Sequence, residues 1–158
     1  MVIRLDKYLC DMQAGTRSAV KDIIRKKKVT INGEVITRPE TKVDIDKDVV
    51  TIDNNVLGYS EYEYYMLNKP AGVVSAVSDK NFKTVVELIT DKKRKDLFPV
   101  GRLDKDTEGL LIITNNGDMA HRLLSPKHHI DKTYYVVAKG SIDNKYIDEF
   151  KNGLVVDK

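Results

Sequence analysis

The chain of 158 residues contains no tryptophan, one cysteine (Cys10), four prolines and no long apolar stretch. With one cysteine it has no internal disulfide and no cysteine-based metal cluster, as expected of a protein in a reducing compartment. Its longest apolar runs, such as Leu110 to Ile113, fall far short of the roughly 20 residues needed to span a membrane. The N-terminus, MVIRLDKYLC, has no secretory apolar region, so a cytoplasmic protein without a membrane partner is expected. Neither G-K-[ST] nor G-x-G-x-x-G occurs, which removes the usual phosphate-binding loops. What remains is a chain with 41% hydrophobic residues, enough for one ordinary domain or two small ones.

Charge is nearly balanced, 27 basic against 24 acidic residues, but it is unevenly placed. Met1 to Lys28 holds eight Lys/Arg against three Asp, whereas Glu40 to Glu63 holds seven acids against two lysines. A basic N-terminal face on a near-neutral chain suits a phosphate backbone, and equally a solvated helix surface.

Leu5, Leu9 and Met12 recur at helical spacing, and Thr16 stands as an N-cap before Val20, Ile23 and Ile24. On the second of these helices Arg17, Lys21, Arg25 and Lys28 form a basic stripe beside the apolar one. VTINGEVI alternates about Asn32-Gly33, a strong hairpin signal, and DVVTID supplies another strand. This unit ends near Gly58. The acidic, tyrosine-rich LGYSEYEYY marks a boundary, giving expected domains at residues 1–59 and 60–158. In the second, a strand runs into MLNKPAGVVSA, TVVELI forms a short helix and LFPV a strand. Leu110 to Thr114 reads as a buried strand, Asn116-Gly117 as a turn, and Asp118 as the cap of a helix stopped by Pro126. KTYYVVAKG is expected as a further strand and DNKYIDEFKNG as a helix closed by Gly153. The class is α+β.

LFPV leads into VGRLDKDTEGLLIITNNGD, which holds Asp104, Asp106 and Glu108 at alternate positions just before the Leu110 to Thr114 strand. A calcium loop would use this opening, but its twelfth position is Asn115, its ninth is the apolar Ile112, and Pro99 occupies the place of the entering helix. His121, His128 and His129 do not form a metal set, because adjacent histidines converge poorly on one ion and no third group joins them. A surface or RNA-contacting loop suits them better. From spacing alone the acidic run is a solvated turn before a buried strand.

The whole set of segments, however, resembles the pseudouridine synthases. Gly101-Arg102-Leu103-Asp104 followed by Thr107-x-Gly109-Leu110-Leu111 is similar to that family's central motif, LNKPAGVVSA to its Lys-Pro-x-Gly motif, and Lys132 to Val136 to its Lys-x-Tyr motif. RLDKYL and VTINGEV resemble the S4 RNA-binding module. SPKHHIDKTYYV is closest to the RsuA-type branch, which acts on small-subunit (16S) ribosomal RNA.

The resemblance implies a small S4-like α/β RNA-binding domain followed by part of a mixed, mainly antiparallel catalytic domain. It implies an isomerase that breaks the uridine N1–C1′ bond, turns the base and rejoins it through C5, with no cofactor and no metal. Asp104 is then the catalytic carboxylate, as nucleophile or as base, held in a dry pocket. Arg102 fills the gap left by the flipped nucleotide, and Tyr134 receives the base on its ring or takes the C5 proton. Tyr135, on the other side of its strand, is expected in the core. Lys69 and Pro70 form a turn that braces the catalytic loop, which Thr107 and Gly109 shape. Arg4, Lys7, Arg17, Lys21, Arg25 and Lys28 are the expected RNA contacts, with ribosomal RNA, free or in an assembly intermediate, as partner of a monomer. Two departures stand out. Lys26 replaces the glycine that closes the second S4 helix, and the family segment carrying the basic partner of the aspartate is expected beyond Lys158, leaving this chain by itself weak or inactive. The alternatives are a non-catalytic ribosomal-RNA-binding protein and an enzyme of the same family acting on large-subunit (23S) RNA.

Overall fold

A computed structural model describes residues 1–128, 130–141 and 143–154. The architecture is α+β, with three antiparallel sheets and two separate apolar cores. The first core forms where β1 (Val2–Arg4) pairs with β4 (Lys42–Asp44) beneath α1 (Leu5–Asp11) and α2 (Arg17–Arg25). Leu5, Leu9, Val20, Ile24, Val29 and Val43 are completely buried there. Each such side chain contributes about 1.5–3 kcal/mol relative to exposure. Thr16 caps α2, its hydroxyl accepting from the Ala19 amide at 3.3 Å. The chain leaves α2 through Lys27 at φ 60°, so the left-handed residue that usually closes such a helix falls one position after Lys26.

A second sheet orders its strands β3-β2-β5-β6, with β2 at Val29–Ile31, β3 at Glu34–Val35, β5 at Val50–Ile52 and β6 at Asn55–Val56. The β2–β3 turn is Asn32-Gly33, both with positive φ (51° and 87°), as a two-residue hairpin connection requires. Asp53 and Asn54 (45° and 67°) close β5 to β6 in the same way.

The third sheet, β7-β9-β8, carries the second core, with β7 at Tyr64–Lys69, β8 at Phe98–Val100 and β9 at Gly109–Thr114. Strand alternation sends Leu111 and Ile113 inward onto Val85 and Leu97, while Leu110 and, on β7, Met66 are exposed. The expectation of a wholly buried Leu110 to Thr114 is thus corrected: only one face of the sheet is covered. TVVELI is a single 3-10 turn at Val86–Leu88, and α3 spans Gly117–Leu124. The cap of α3 is Asn116, whose side chain accepts from the Met119 amide at 3.0 Å, and not Asp118. Lys132 to Lys139 forms no strand among the described residues, because a β-prone segment needs a neighbour to pair with and none adjoins it. Tyr135 is accordingly 93% exposed rather than in the core. The last helix, α4 (Lys145–Asn152), ends at Gly153 with φ 90°. No helix among the described residues is long and apolar enough to cross a membrane.

Several aspartates are held below their ordinary pKa of 3.8 in the native state. For Asp6 the main cause is the hydrogen bond from Arg4; for Asp44 it is the Asp46 amide, followed by the N-terminal ammonium; for Asp79 it is the Asn81 and Phe82 amides. At Asp96 burial acts first and in the opposite sense, and the Arg94 hydrogen bond and charge outweigh it. These groups bind protons more weakly when folded. Their stabilisation is therefore complete above the unfolded value and is lost as pH falls through the lower native values. Far-UV circular dichroism under fixed urea should show stability falling below about pH 4; a flat profile down to about pH 2 would contradict this.

Candidate active site and RNA-binding face

The GRLD loop is clamped on both sides of Asp104. The Ser75 hydroxyl donates to the Leu103 carbonyl at 2.7 Å and accepts from the Leu103 amide at 3.1 Å. On the other side, the Lys105 carbonyl accepts from the Gly72 amide at 2.9 Å and from the Lys69 ammonium at 2.8 Å. Lys69 is entirely buried, and its Nζ also reaches the carbonyls of Pro70 (3.1 Å) and Thr107 (2.7 Å). An ammonium has three protons, so all three are used and no buried donor is left unpaired. The turn is closed by the Thr107 amide donating to the Asp104 carbonyl at 3.1 Å. Gly101 (φ 82°) and Gly109 (φ 126°) enter and leave the loop in backbone conformations that side chains resist.

Between these clamps Asp104 and Arg102 line a cavity of about 580 Å³, together with Val74, Ser75, Ala76, Asp79, Leu103 and Lys105. That volume lies within the range of small-molecule sites, about 300–1,000 Å³. The structure does not hold Asp104 in a dry pocket. Its side chain is exposed because the loop presents it outward from the sheet, and the water exclusion expected from the sequence is not found. Tyr134 is 62% exposed, outside the residues lining this cavity, since Lys132 to Lys139 has no sheet to join. Thus Arg102, Asp104 and the supporting Lys69, Pro70, Thr107 and Gly109 come together, and Tyr134 does not join them.

Ser75 and Asp79 were not anticipated. Asp79 Oδ1 accepts the Asn81 and Phe82 amides at 2.8 and 2.9 Å, fixing the turn at the cavity's rim. The Lys105 ammonium stands 4.1 Å from the centroid of the half-exposed Phe82 ring. A Ser and an Asp in a polar loop carry no spacing signal; only the fold brings them to the GRLD segment.

The basic residues of the N-terminal unit divide into two sets. Arg4 is paired with Asp6 (2.8 Å), Lys7 with Asp11 (2.6 Å), Lys28 with Asp53 (3.1 Å) and, more loosely, Arg25 with Asp22 (3.9 Å). Among the described residues Arg17 and Lys21 form no ion pair, so α2 keeps cations available to an outside anion. His121 lies on α3, His128 in the following 3-10 turn, and His129 lies outside the described residues. No group of three metal-ligating side chains occurs among the described residues.

The family model for RNA pseudouridylate synthase matches residues 63–157, and the S4 domain model matches residues 3–50. The chain therefore belongs to the RNA pseudouridylate synthase family and carries an S4 domain. It is 43% identical, over 98% of its length, to the uncharacterized RNA pseudouridine synthase YtzG of Bacillus subtilis, of which it covers 65%. It is also 32% identical to the ribosomal small subunit pseudouridine synthase A of Haemophilus influenzae, with 98% of this chain and 66% of that protein covered. A crystal structure of a pseudouridylate synthase is 34% identical, with 80% of this chain and 54% of that chain covered and a TM-score of 0.40. The chain thus spans about 65% of the length of the curated relatives it matches.

Proposed function

We propose that the protein isomerises uridine to pseudouridine in small-subunit (16S) ribosomal RNA, with Asp104 as the catalytic carboxylate and residues 1–59 and 60–158 as its RNA-binding and catalytic units. The observation that carries this reading is the clamp: both neighbours of Asp104 are fixed through their backbone, by Ser75 and by the buried Lys69, while the carboxylate itself faces a cavity shared with Arg102. A solvated structural turn has no use for a buried ammonium holding three carbonyls. A reacting carboxylate does, because placement within a few tenths of an ångström accounts for much of a catalytic rate.

In this scheme the target uridine leaves its stack, at a cost of a few kcal/mol, and enters the cavity. Arg102 occupies the vacated place and pairs with the backbone around it. Asp104 acts on the ribose or on the uracil ring, as nucleophile or base. The N1–C1′ bond breaks, the base turns, a C5–C1′ bond forms, the C5 proton is released to solvent, and N1 takes up a proton in its place. Because Asp104 is exposed in the free chain, the incoming nucleotide supplies the dehydration that the sequence assigned to a closed pocket. Tyr134 serves as base receptor only if Lys132 to Lys139 folds onto the site when the protein is extended or bound to RNA.

A second reading is RNA binding without turnover by this chain alone, and the exposure of both Asp104 and Tyr134 favours it. The names of several relatives, ribosomal small subunit pseudouridine synthase A, support the 16S substrate. Incubation with ribosomal RNA tritiated at uridine C5 separates the readings. Release from small-subunit RNA by a form extended to the length of its relatives supports the proposal. Release only from large-subunit RNA moves the substrate to 23S, and no release from either leaves an RNA-binding protein.

The binding face has its own test. Lys21→Glu with Arg25→Glu should weaken ribosomal RNA binding at all sequences and lower the slope of log affinity against log salt by about two. An unchanged slope in filter-binding titrations would remove α2 from the interface.

A further inference from the structure

The two cores are joined by one buried arginine. Arg94 is 5% exposed, yet it lies in DKKRKD, a run that sequence alone places in solvent. Its guanidinium binds Asp96 through two bonds, Nε to Oδ1 at 2.9 Å and Nη2 to Oδ2 at 2.7 Å. Nη1 reaches across to the N-terminal unit, 3.1 Å from the Tyr59 hydroxyl and 3.5 Å from Asp11 Oδ2, and also lies 3.3 Å from the Ser60 carbonyl just past the boundary. Asp11, at the end of α1, also accepts the Tyr59 hydroxyl at 3.0 Å and the Lys7 ammonium at 2.6 Å. Tyr59 in turn packs on Tyr8, ring centroids 4.9 Å apart, inside the first core. The backbone beneath Arg94 is held as well, the Lys93 and Arg94 amides donating to the Glu63 carboxylate at 3.1 and 2.8 Å. A second tie lies alongside, Gln13 Nε2 donating to the Lys92 carbonyl at 2.9 Å.

Domains joined by a short linker move relative to one another unless a specific contact prevents it. Here the contact is a desolvated guanidinium, bidentate on Asp96 and bonded through Nη1 to the N-terminal unit, which is costly to break because Asp11 would lose a buried partner. It also leads directly to the RNA-facing side. Lys7 and Arg94 share Asp11, so the helix expected to touch RNA is tied through one carboxylate to the unit that carries Asp104. We propose that Arg94 is a positioning residue that fixes the S4 domain at a set distance from the Asp104 cavity, so that one ribosomal RNA engages both at once. This rests on the proposed function. Two grips on one ligand raise affinity through effective concentration only while their spacing matches that of the ligand.

The test uses the protein with spin labels on Glu34→Cys and Lys80→Cys, one in each unit. With Arg94 present, the label-to-label distance should be a single narrow distribution. Arg94→Gln should broaden it, and Tyr59→Phe, which deletes the two hydroxyl bonds to Arg94 and Asp11 but keeps the packing and the Arg94–Asp96 pair, should broaden it less. With C5-tritiated small-subunit RNA, Arg94→Gln should raise KM about tenfold and leave kcat within about twofold. Distributions unchanged in both variants would overturn the proposal, as would a fall in kcat at unchanged KM. The distance measurement needs no turnover, so failure of the tie and failure of the catalytic assignment are read separately.

Discussion

Replacing Asp104 with asparagine is expected to lower turnover on ribosomal RNA by about 10,000-fold or more, the loss typical when the group that forms or directs the reacting bond is removed. Asparagine keeps the size and most hydrogen-bonding ability of the side chain but has neither the charge nor the basicity. The backbone clamps at Leu103 and Lys105 do not involve the carboxylate, so the loop should keep its shape. RNA affinity should therefore stay within about twofold while pseudouridine formation, followed by nucleoside analysis of the RNA, disappears. A variant that lost binding and turnover together would point to a structural aspartate.

The second large effect is on stability. Lys69→Met is expected to cost about 3–5 kcal/mol, because the methionine fills the volume but leaves the Pro70, Lys105 and Thr107 carbonyls without a donor. Against a total stability of about 5–15 kcal/mol for a typical domain, that is a large fraction. The urea midpoint of the second core should fall by about 2 M. Activity should be lost in step with folding rather than ahead of it. An unchanged midpoint would mean that the three bonds are not what holds the loop.

How legible this molecule was depends on how local each feature is. Asn32-Gly33 announced its hairpin because two consecutive positive φ values are a demand that few residue pairs meet. Thr16 announced α2 for a similar reason. The pairing of β1 with β4 was invisible: Val2 opposite Asp44 is a contact between short, ordinary segments far apart in sequence. Leu110 misled because a run of aliphatic residues looks buried throughout, while a strand with one covered face buries only alternate positions. Arg94 drew no expectation, since a cation among lysines carries no burial signal until Asp11 and Tyr59 are brought to it by the fold. At the site, Asp104, Arg102 and Lys69 were named from motif resemblance, and their geometry followed from the turn chemistry around them. Ser75 and Asp79 were not named, and Tyr134, whose role comes from the resemblance, is exposed and outside the residues lining the cavity.

The central claim is that the carboxylate at position 104 carries out the chemistry on a uridine drawn from the RNA. A single-turnover measurement addresses it most directly: tritium release from C5-labelled small-subunit ribosomal RNA, with the extended protein in excess, for the native sequence and for Asp104→Asn at equal RNA occupancy. The account predicts release from one uridine per RNA with the native sequence and background release with the variant. Equal release from both would contradict it.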